Sequence, residues 1–426
     1  MLMIRVFTRT LIPDQRLSAT LMSTLPKSRF LDRATPPSIF TMVALVAAAS
    51  IPLNIFLATL PAMAEFFETP YSVMQFAVTG FLVLTGLLQL VIGPLSDRLG
   101  RRPVLMVSLG IFIIASTGAA LSTTFNEFMA YRLIQAVVIA GTAISRASVR
   151  DMVAREKAAS LIGYITMGMA LAPMLTPPLG GYLGATYGWQ INFHVLTGAG
   201  VFVFILSYFD YGETNLKRSV SFTEQFKAYP QLVTSRRFWG YALTTAFSAA
   251  CYFAYLGGAP YVGAVAYNLG PEQIGLYLML TPLGYIMGNF ISGRYSSVLG
   301  LEKMLIIGCL LILLPMLACL AVILSGVVHP MGFFAFTLVV GLGNGMVLPN
   351  ATAGMLDVNP SLAGSASGLG GAVLTLGGAS FSAAAAFFLT ETSGALPLVL
   401  CIVLASSCAL LLTVYTINVE RKVRDL

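Results

Sequence analysis

Arg132 and Gln135 are the residues whose types and spacing most directly indicate chemistry. They lie within one apolar stretch, residues 127–150, that is long enough to cross a bilayer. A charged side chain inside such a stretch is energetically costly, and it usually marks a pathway for a substrate or an ion. The alternative is that Arg132 extends outward along its helix and pairs with Glu127. We favour the functional interpretation.

A second candidate is a short polar segment, residues 93–105, between two long apolar runs. Its charged and glycine positions are Gly93, Asp97, Arg98, Gly100, Arg101 and Arg102. Gly100 can adopt the left-handed conformation that ends a helix, and Pro103 suits the first turn of the helix that follows. A generic basic loop beside a membrane would explain the arginines, but it would not explain Asp97 or the two glycines.

Polar and aromatic side chains in other apolar runs are candidates for a binding cavity. Asn344 and Asn350 share one run, where an amide should face a cavity or another helix. Tyr255 belongs to an aromatic-rich run, residues 237–263, that could line a pocket for an amphiphilic molecule. The alternative for these aromatic side chains is contact with lipid.

Sequence signatures of enzymes are missing. The chain has no Walker motif, no HExxH and no GxSxG, and it has only two histidines. ATP-driven transport and membrane hydrolase chemistry are therefore not expected. We expect no enzyme activity, no cofactor and no metal site.

The composition indicates a membrane protein. Of the 426 residues, 57% are hydrophobic and 10% are charged, and the mean hydropathy is +0.85. A soluble domain has about a quarter charged residues. One span needs roughly 20 apolar residues, so the length predicts an all-α integral membrane protein with twelve transmembrane helices. We attribute the net charge of +7 to the connections between spans and expect no nucleic-acid partner.

The predicted spans form two groups of six. They lie near residues 39–64, 72–94, 103–121, 127–150, 158–184, 191–210, 237–263, 273–295, 302–325, 332–354, 363–388 and 396–416. The predicted organisation is a basic tail (1–38), an N-terminal six-helix bundle (39–210), a cytoplasmic linker (211–236), a C-terminal six-helix bundle (237–417) and a short tail (418–426). Within the linker, Phe222, Phe226 and Tyr229 have the spacing of a short amphipathic helix on the membrane surface.

The positions of Lys and Arg predict the orientation. Arg132 and Arg146 are the only ones of the 24 basic residues that lie more than two positions inside a predicted span, and all the others lie in the tails, in even-numbered connections or at the span ends beside them. Short connections rich in Lys and Arg stay in the cytoplasm, so both termini are predicted to be cytoplasmic. Residues 93–100 also align with residues 293–300. Such a parallel repeat indicates two similar bundles with a binding site between them, near the middle of the bilayer.

Two of these motifs resemble signatures of one transporter family. The pattern G-x-L-x-D-R-x-G-R-R-x-x-L of residues 93–105 resembles the loop between spans two and three of the major facilitator superfamily. The run from Arg132 to Gln135 is similar to the R-x-x-Q-G signature of the proton-driven drug antiporters, with Ala136 in place of the glycine.

Further matches favour one branch of that family. Residues 144–151, which include Arg150 and Asp151, resemble a stretch of the bicyclomycin/chloramphenicol-resistance branch. Residues 343–350 and 363–367 resemble the same branch in spans ten and eleven. Span five resembles the superfamily's antiporter motif, with Thr176 where glycine is usual, at Gly168, Pro177, Gly180 and Gly181.

The resemblance implies export of small amphiphilic drugs across a bacterial inner membrane by alternating access, in exchange for protons. The implied partners are the small molecule, protons and the lipid bilayer, and the implied state is a monomer. Asp97 and the loop arginines would join the two bundles when the cytoplasmic gate is closed, with Arg150 as the counter-charge of Asp97. The alternatives are an uncoupled facilitator or metabolite exporter of the same fold, and a membrane protein that senses or scaffolds.

One departure from the branch concerns proton coupling. The branch usually has an aspartate in span one, where this chain has Asn54. An amide cannot take up and release a proton as a buried carboxylate can. No other Asp or Glu lies deep in a predicted span, and Glu65 lies at an outer edge. We therefore predict weak or unusual proton coupling.

Overall fold

The computed structural model describes residues 28–424, except residues 154, 216–229, 327, 360–361 and 391. The side chains of residues 150, 155–164, 166–171, 363–364 and 423–424 are also outside the described part. The amphipathic helix predicted around Phe222 and most of the basic tail lie outside it too.

Within the part of the chain that the structure describes, twelve long helices make up the fold, as predicted. They are α1 Ile39–Phe66, α2 Tyr71–Leu99, α3 Arg101–Leu121, α4 Phe125–Val149, α5 Arg155–Tyr187, α6 Gln190–Asp210, α7 Arg236–Ala266, α8 Pro271–Leu299, α9 Leu301–Leu324, α10 Met331–Asp357, α11 Ala363–Phe388 and α12 Leu396–Arg424. Eleven of them are long and apolar enough to span a membrane among the residues described, and α5 has 33 residues. The predicted all-α membrane fold is confirmed.

The last helix is longer than predicted. The sequence predicts that span twelve ends near residue 416 and that a tail follows it, but α12 continues to Arg424. The extra turns carry Glu420, whose carboxylate accepts a hydrogen bond from Arg237 Nε at 2.8 Å. This partly buried contact joins the start of α7 to the end of α12, which explains why the chain stays helical beyond its apolar run.

Two N-terminal helices are broken in the middle. In α1, the α-helix ends at Asn54 and a 3-10 turn, Leu57–Thr59, leads to a new start at Leu60. In α4, the 3-10 turn Gln135–Val138 separates two α-helical parts. Such breaks release backbone carbonyl groups from helical hydrogen bonds, and a buried carbonyl then needs another donor.

The two bundles meet at the end that holds the odd-numbered connections. Glycines of α5 and α8 interlock there, because a Cβ on Gly181 would overlap the Pro271 carbonyl and one on Gly275 would overlap the Pro177 carbonyl. Such close approach of two backbones is what glycine permits between membrane helices.

The α2 helix adds polar contacts to this junction. Tyr71 Oη donates a hydrogen bond to the Gly257 carbonyl of α7 at 2.8 Å, and Gln75 Nε2 donates to Ser382 Oγ of α11 at 3.1 Å. Contact between α2 and α11 continues as far as Gly371, whose Cβ would lie 3.1 Å from Gln89 Oε1. One turn further, a Cβ on Gly93 would meet nothing within 4 Å. The bundles therefore diverge toward the even-numbered connections.

Candidate functional site

Arg132 is fully buried in the N-terminal bundle, with 0% of its surface exposed. Its Nε donates a hydrogen bond to the Ala77 carbonyl at 2.9 Å, and its Nη2 donates to the Pro52 carbonyl at 2.8 Å. Its Nη1 donates to Gln135 Oε1 at 2.8 Å. Gln135 in turn donates to Ser116 Oγ of α3 at 3.0 Å. One arginine thus connects α1, α2 and α4 directly, and α3 through Gln135.

The break in α1 explains why Pro52 is available as an acceptor. The helix ends two residues later at Asn54, so the Pro52 carbonyl accepts a hydrogen bond from Arg132 rather than from the next helical turn. The break is accommodated by α5, because a Cβ on Gly180 would overlap the Ile55 carbonyl. The glycine of the antiporter motif is therefore needed where α5 passes the break.

Aromatic rings and dipoles surround the Arg132 charge. The guanidinium carbon lies 4.5 Å from the ring centre of Phe56 and 4.2 Å from that of Phe81, which is the geometry of a cation–π contact. Among the residues that the structure describes, no carboxylate lies within 4.0 Å of it. The charge is stabilised by carbonyl oxygens, an amide and two aromatic faces.

The alternative interpretation of Arg132, an outward extension to Glu127, is not seen in this conformation. The Glu127 carboxylate instead accepts a hydrogen bond from the Thr123 backbone N–H at 3.3 Å. The rings of Phe56 and Phe81 and three acceptors enclose Arg132 in this conformation, so its place at the substrate cavity stays a prediction. The physical reason is that a desolvated guanidinium must satisfy its donors, and Pro52, Ala77 and Gln135 supply the acceptors.

Asn54 connects the two bundles near the middle of α1. Its side chain is 2% exposed, and its Nδ2 donates to the Ser50 carbonyl at 2.8 Å. Its Oδ1 accepts a hydrogen bond from Tyr252 Oη of α7 at 3.4 Å. A neutral amide at this position therefore makes a contact between bundles without any change of protonation.

The other predicted cavity residues lie inside the C-terminal bundle. Tyr255 is buried, and its Oη donates to the Tyr277 carbonyl at 3.3 Å. Asn344 Oδ1 accepts from Ser248 Oγ at 2.6 Å, and Asn350 Nδ2 donates to Ser292 Oγ at 2.7 Å. These side chains join neighbouring helices, so in this conformation they do not line an open cavity.

The polar segment of residues 93–105 is bound within the N-terminal bundle. Asp97 and Arg101 form an ion pair, and Arg101 Nε also donates to Asp151 Oδ2 at 3.1 Å. Arg98 is exposed, and Arg102 Nη2 donates to the Tyr208 carbonyl at 2.9 Å. The predicted partner of Asp97 lies outside the described side chains, since that of Arg150 is not described. In this conformation Arg101 holds Asp97.

Two residues that the sequence did not indicate, Glu213 and Asn215, form hydrogen bonds with this segment. The Glu213 carboxylate accepts hydrogen bonds from the backbone N–H groups of Arg101 at 3.0 Å and Arg102 at 3.2 Å, at the start of α3. A carboxylate at a helix N-terminus satisfies free donors and the helix dipole. Asn215 Nδ2 donates to the Asp97 carbonyl at 2.7 Å. No sequence signal relates these residues, because more than a hundred positions separate them.

The antiporter-motif residues divide between two roles. Gly168 and Pro177 lie in the continuous helix α5. Gly180 faces the break of α1, and Gly181 faces the start of α8 in the other bundle. The motif therefore contributes both to the bundle that holds Arg132 and to the junction between bundles.

A family model places this arrangement among known proteins. The model of the Major Facilitator Superfamily matches residues 41–382 and 258–424. The chain belongs to the major facilitator superfamily. In agreement with this, a solved D-xylose-proton symporter has the same fold, with a TM-score of 0.69 at 14% identity over 89% of this chain and 96% of the symporter.

Three relatives describe the position of this chain within the superfamily. The uncharacterized MFS-type transporter YdgK of Bacillus subtilis (strain 168) is 30% identical over 75% of this chain and 81% of its own length. A chloramphenicol resistance protein of Pseudomonas aeruginosa is 30% identical over 56% of this chain and 57% of its own length. A bicyclomycin resistance protein homolog of Haemophilus influenzae is 27% identical over 70% of this chain and 76% of its own length. The resemblance to the bicyclomycin/chloramphenicol-resistance branch is confirmed.

Proposed function

We propose that this major facilitator protein exports small amphiphilic drugs or xenobiotics by alternating access, with protons as the counter-ion usual for the family and with the weak coupling that Asn54 predicts. The names of two relatives, which refer to resistance to chloramphenicol and bicyclomycin, support this substrate class. The observation that carries the transport mechanism is the one-sided junction of the bundles, closed at Gly181 and Gly275 and open at Gly93. A central site reached from one side at a time is the basis of alternating access.

The orientation of the chain in the membrane determines the side to which this conformation opens. Because the basic residues lie in the tails and the even-numbered connections, we propose that these face the cytoplasm, with both termini inside, in the bacterial inner membrane. The closed junction is then on the outer side, and the structure corresponds to an inward-facing state. An exporter accepts its substrate in this state.

The Arg132 cluster is proposed to keep α1 broken at the level of the substrate site. Its hydrogen bond to Pro52 holds the end of the helix that carries Asn54. Asn54 and Tyr252 meet across the two bundles, so this contact must change when the bundles rock. Arg132 is therefore proposed as a positioning residue, and Asn54 as the residue through which the cluster acts on the contact between the bundles.

The polar segment of residues 93–105 is proposed to stabilise the outward-facing state. Asp97, Arg98, Arg101 and Arg102 would meet the other bundle when the cytoplasmic side closes, and Arg150 remains the proposed counter-charge of Asp97 in that state. In the inward-facing state, Arg101 forms ion pairs with Asp97 and Asp151 within the N-terminal bundle.

Drug accumulation in cells tests the proposed function. Cells that lack their main exporters and express this protein should accumulate less of several neutral amphiphilic antibiotics than cells with an empty vector, and they should tolerate more of them. Equal accumulation and tolerance across the panel, at verified expression, would favour a sensor or scaffold. Proton release on substrate addition then distinguishes antiport from facilitation.

A further inference from the structure

The segment that precedes α1 is folded against the end of α6. Asp210, the last residue of α6, is fully buried, and its carboxylate accepts hydrogen bonds from the backbone N–H groups of Leu31 at 2.6 Å and Ser38 at 2.8 Å. Leu31 is held there at φ 60°, a conformation that a bulky residue rarely adopts. The start of the linker covers the same segment, because a Cβ on Gly212 would overlap the Thr35 carbonyl. One carboxylate thus joins the end of α6 to the start of α1.

The C-terminal bundle has a counterpart of this contact. Glu420 of α12 is 5% exposed, and its carboxylate accepts a hydrogen bond at 2.8 Å from Arg237 Nε, in the first turn of α7. Helices α6 and α12 are the last of their bundles, and α1 and α7 are the first. Both first helices also begin after a serine whose side chain caps the helix, Ser38 for α1 and Ser235 for α7. In each bundle, therefore, a buried carboxylate of the last helix holds the start of the first helix.

Helices α1 and α7 are also attached to their own bundles near the middle of the membrane. The Pro52 carbonyl accepts the hydrogen bond of Arg132 about 20 Å along α1 from its start. Ser248 donates to Asn344 of α10 about 18 Å along α7 from its start. A helix that is attached at two levels cannot pivot about either one. These are the two helices whose side chains meet across the bundles.

We propose that Asp210 and Glu420 are positioning residues for transport, which keep α1 and α7 moving with their own bundles. This inference rests on the proposed function and deepens it by naming residues that transmit the rocking motion. The bundles diverge toward the even-numbered connections, so the start of each first helix depends on contacts within its own bundle. With both carboxylates in place, rocking reaches the Asn54–Tyr252 contact instead of bending α1 at its 3-10 turn.

Hydrogen–deuterium exchange of the full-length protein in nanodiscs tests the contact in the N-terminal bundle. Asp210→Asn leaves one acceptor oxygen for two N–H groups, so residues 30–40 should exchange roughly tenfold faster or more. Asp210→Glu keeps the charge and should keep most of the protection. The matched control is Asp32→Asn, because the Asp32 carboxylate accepts a hydrogen bond from Ala34 within the same segment. The control should leave exchange at the start of α1 as in the wild type.

Substitutions of Glu420 and Arg237 test the contact in the C-terminal bundle separately. Glu420→Gln should accelerate exchange at the start of α7 and the end of α12, and residues 30–40 should stay as in the wild type. Arg237→Gln should have the same effect, and the double variant should have no larger one, because both substitutions remove a single contact. Unchanged exchange at the start of α1 in Asp210→Asn, or at the start of α7 in Glu420→Gln, would overturn the proposal. Each bundle gives this result independently of whether the variant of the other bundle folds.

Transport distinguishes positioning from a purely structural role. The probe is a neutral dansyl sulfonamide that ends in a hydroxyethyl group, with binding measured by fluorescence and turnover by uptake into proteoliposomes. We expect severalfold slower turnover in Asp210→Asn and in Glu420→Gln at unchanged affinity, and recovery of turnover in Asp210→Glu. Wild-type turnover in variants whose exchange is accelerated would overturn the positioning role. If the wild type transports neither this probe nor any drug of the panel, the proposed function is contradicted, and the exchange measurements still decide whether the two carboxylates hold their helices.

Discussion

At the scale of single residues, Arg132 shows how one buried cation can organise several helices. It donates to the Pro52 carbonyl at the break of α1 and to the Ala77 carbonyl of α2, and its hydrogen bond to Gln135 orients that amide toward Ser116. Its removal would leave the Pro52 carbonyl and Gln135 Oε1 without this donor, and each unsatisfied buried group costs about 1–3 kcal/mol.

We predict that Arg132→Ala abolishes export and that Arg132→Lys retains part of it. Lysine keeps the positive charge, but its single ammonium group cannot reproduce the planar fork that reaches three acceptors in fixed directions. The measurement is drug accumulation at equal expression, with elution from size exclusion as the check on folding. Full export by a well-folded alanine variant would contradict the role of Arg132.

Asn54 leads to a prediction about energy coupling. Export by the wild type should depend little on an imposed pH gradient, and Asn54→Asp should make it depend strongly. A carboxyl buried at this position would have a raised pKa and could exchange a proton during the cycle, whereas an amide cannot.

The measurement is export from vesicles with and without the gradient, with Glu65→Gln as the control at an exposed outer position. Release of about one proton per substrate by the wild type, unchanged by Asn54→Ala and by Glu65→Gln, would show that coupling resides elsewhere.

At the scale of helices, the junction of α5 and α8 depends on two glycines that face each other's backbone. Gly275→Ala should weaken the outer closure, because the added methyl group would overlap the Pro177 carbonyl and a backbone cannot move aside as a side chain can. Gly270→Ala is the matched control, since a Cβ there meets nothing within 4 Å.

The native cysteines are first replaced by serine, and one cysteine is introduced at Ala58, beneath the junction. The measurement is the rate at which an impermeant maleimide, added from outside, labels this cysteine. We expect faster labelling in Gly275→Ala and an unchanged rate in Gly270→Ala. Equal rates in both variants would mean that the interlock does not close the outer side.

At the scale of the whole molecule, the polar contacts of α2 contribute to the balance between the two states. The double variant Tyr71→Phe, Gln75→Leu removes the hydrogen bonds to Gly257 and Ser382. Two neutral hydrogen bonds contribute about 1–3 kcal/mol, which corresponds to roughly a five- to 150-fold change in the population of states. We expect a shift toward the outward-open state.

Spin labels at the exposed positions 68 and 272, one in each bundle, report this shift as longer distances across the outer side. Tyr182→Phe, at an exposed position of α5, serves as the control and should leave the distance distribution as it is. The same distribution in the double variant and the wild type would show that these contacts do not hold the outer side closed.

The sequence alone was sufficient for the twelve helices, the loop motif and the unusual positions of Arg132 and Asn54. These features follow from local properties, because a bilayer requires long apolar helices and makes every charge inside them conspicuous. Even the contact residues of the antiporter motif could be named in advance, since close backbone approach demands glycine.

The tertiary structure alone decided the partners of these residues. Arg132 reaches carbonyls 55 and 80 positions away, and Tyr252 reaches Asn54 across 198 positions. Glu213 caps a helix that begins 112 positions earlier. Hydropathy is a property of each residue in the sequence. The partner of a buried hydrogen-bond donor depends instead on which carbonyl groups the packed and interrupted helices bring close to it. Those breaks arise only when the helices pack together, and for that reason the buried environment of Arg132 could not be derived from spacing.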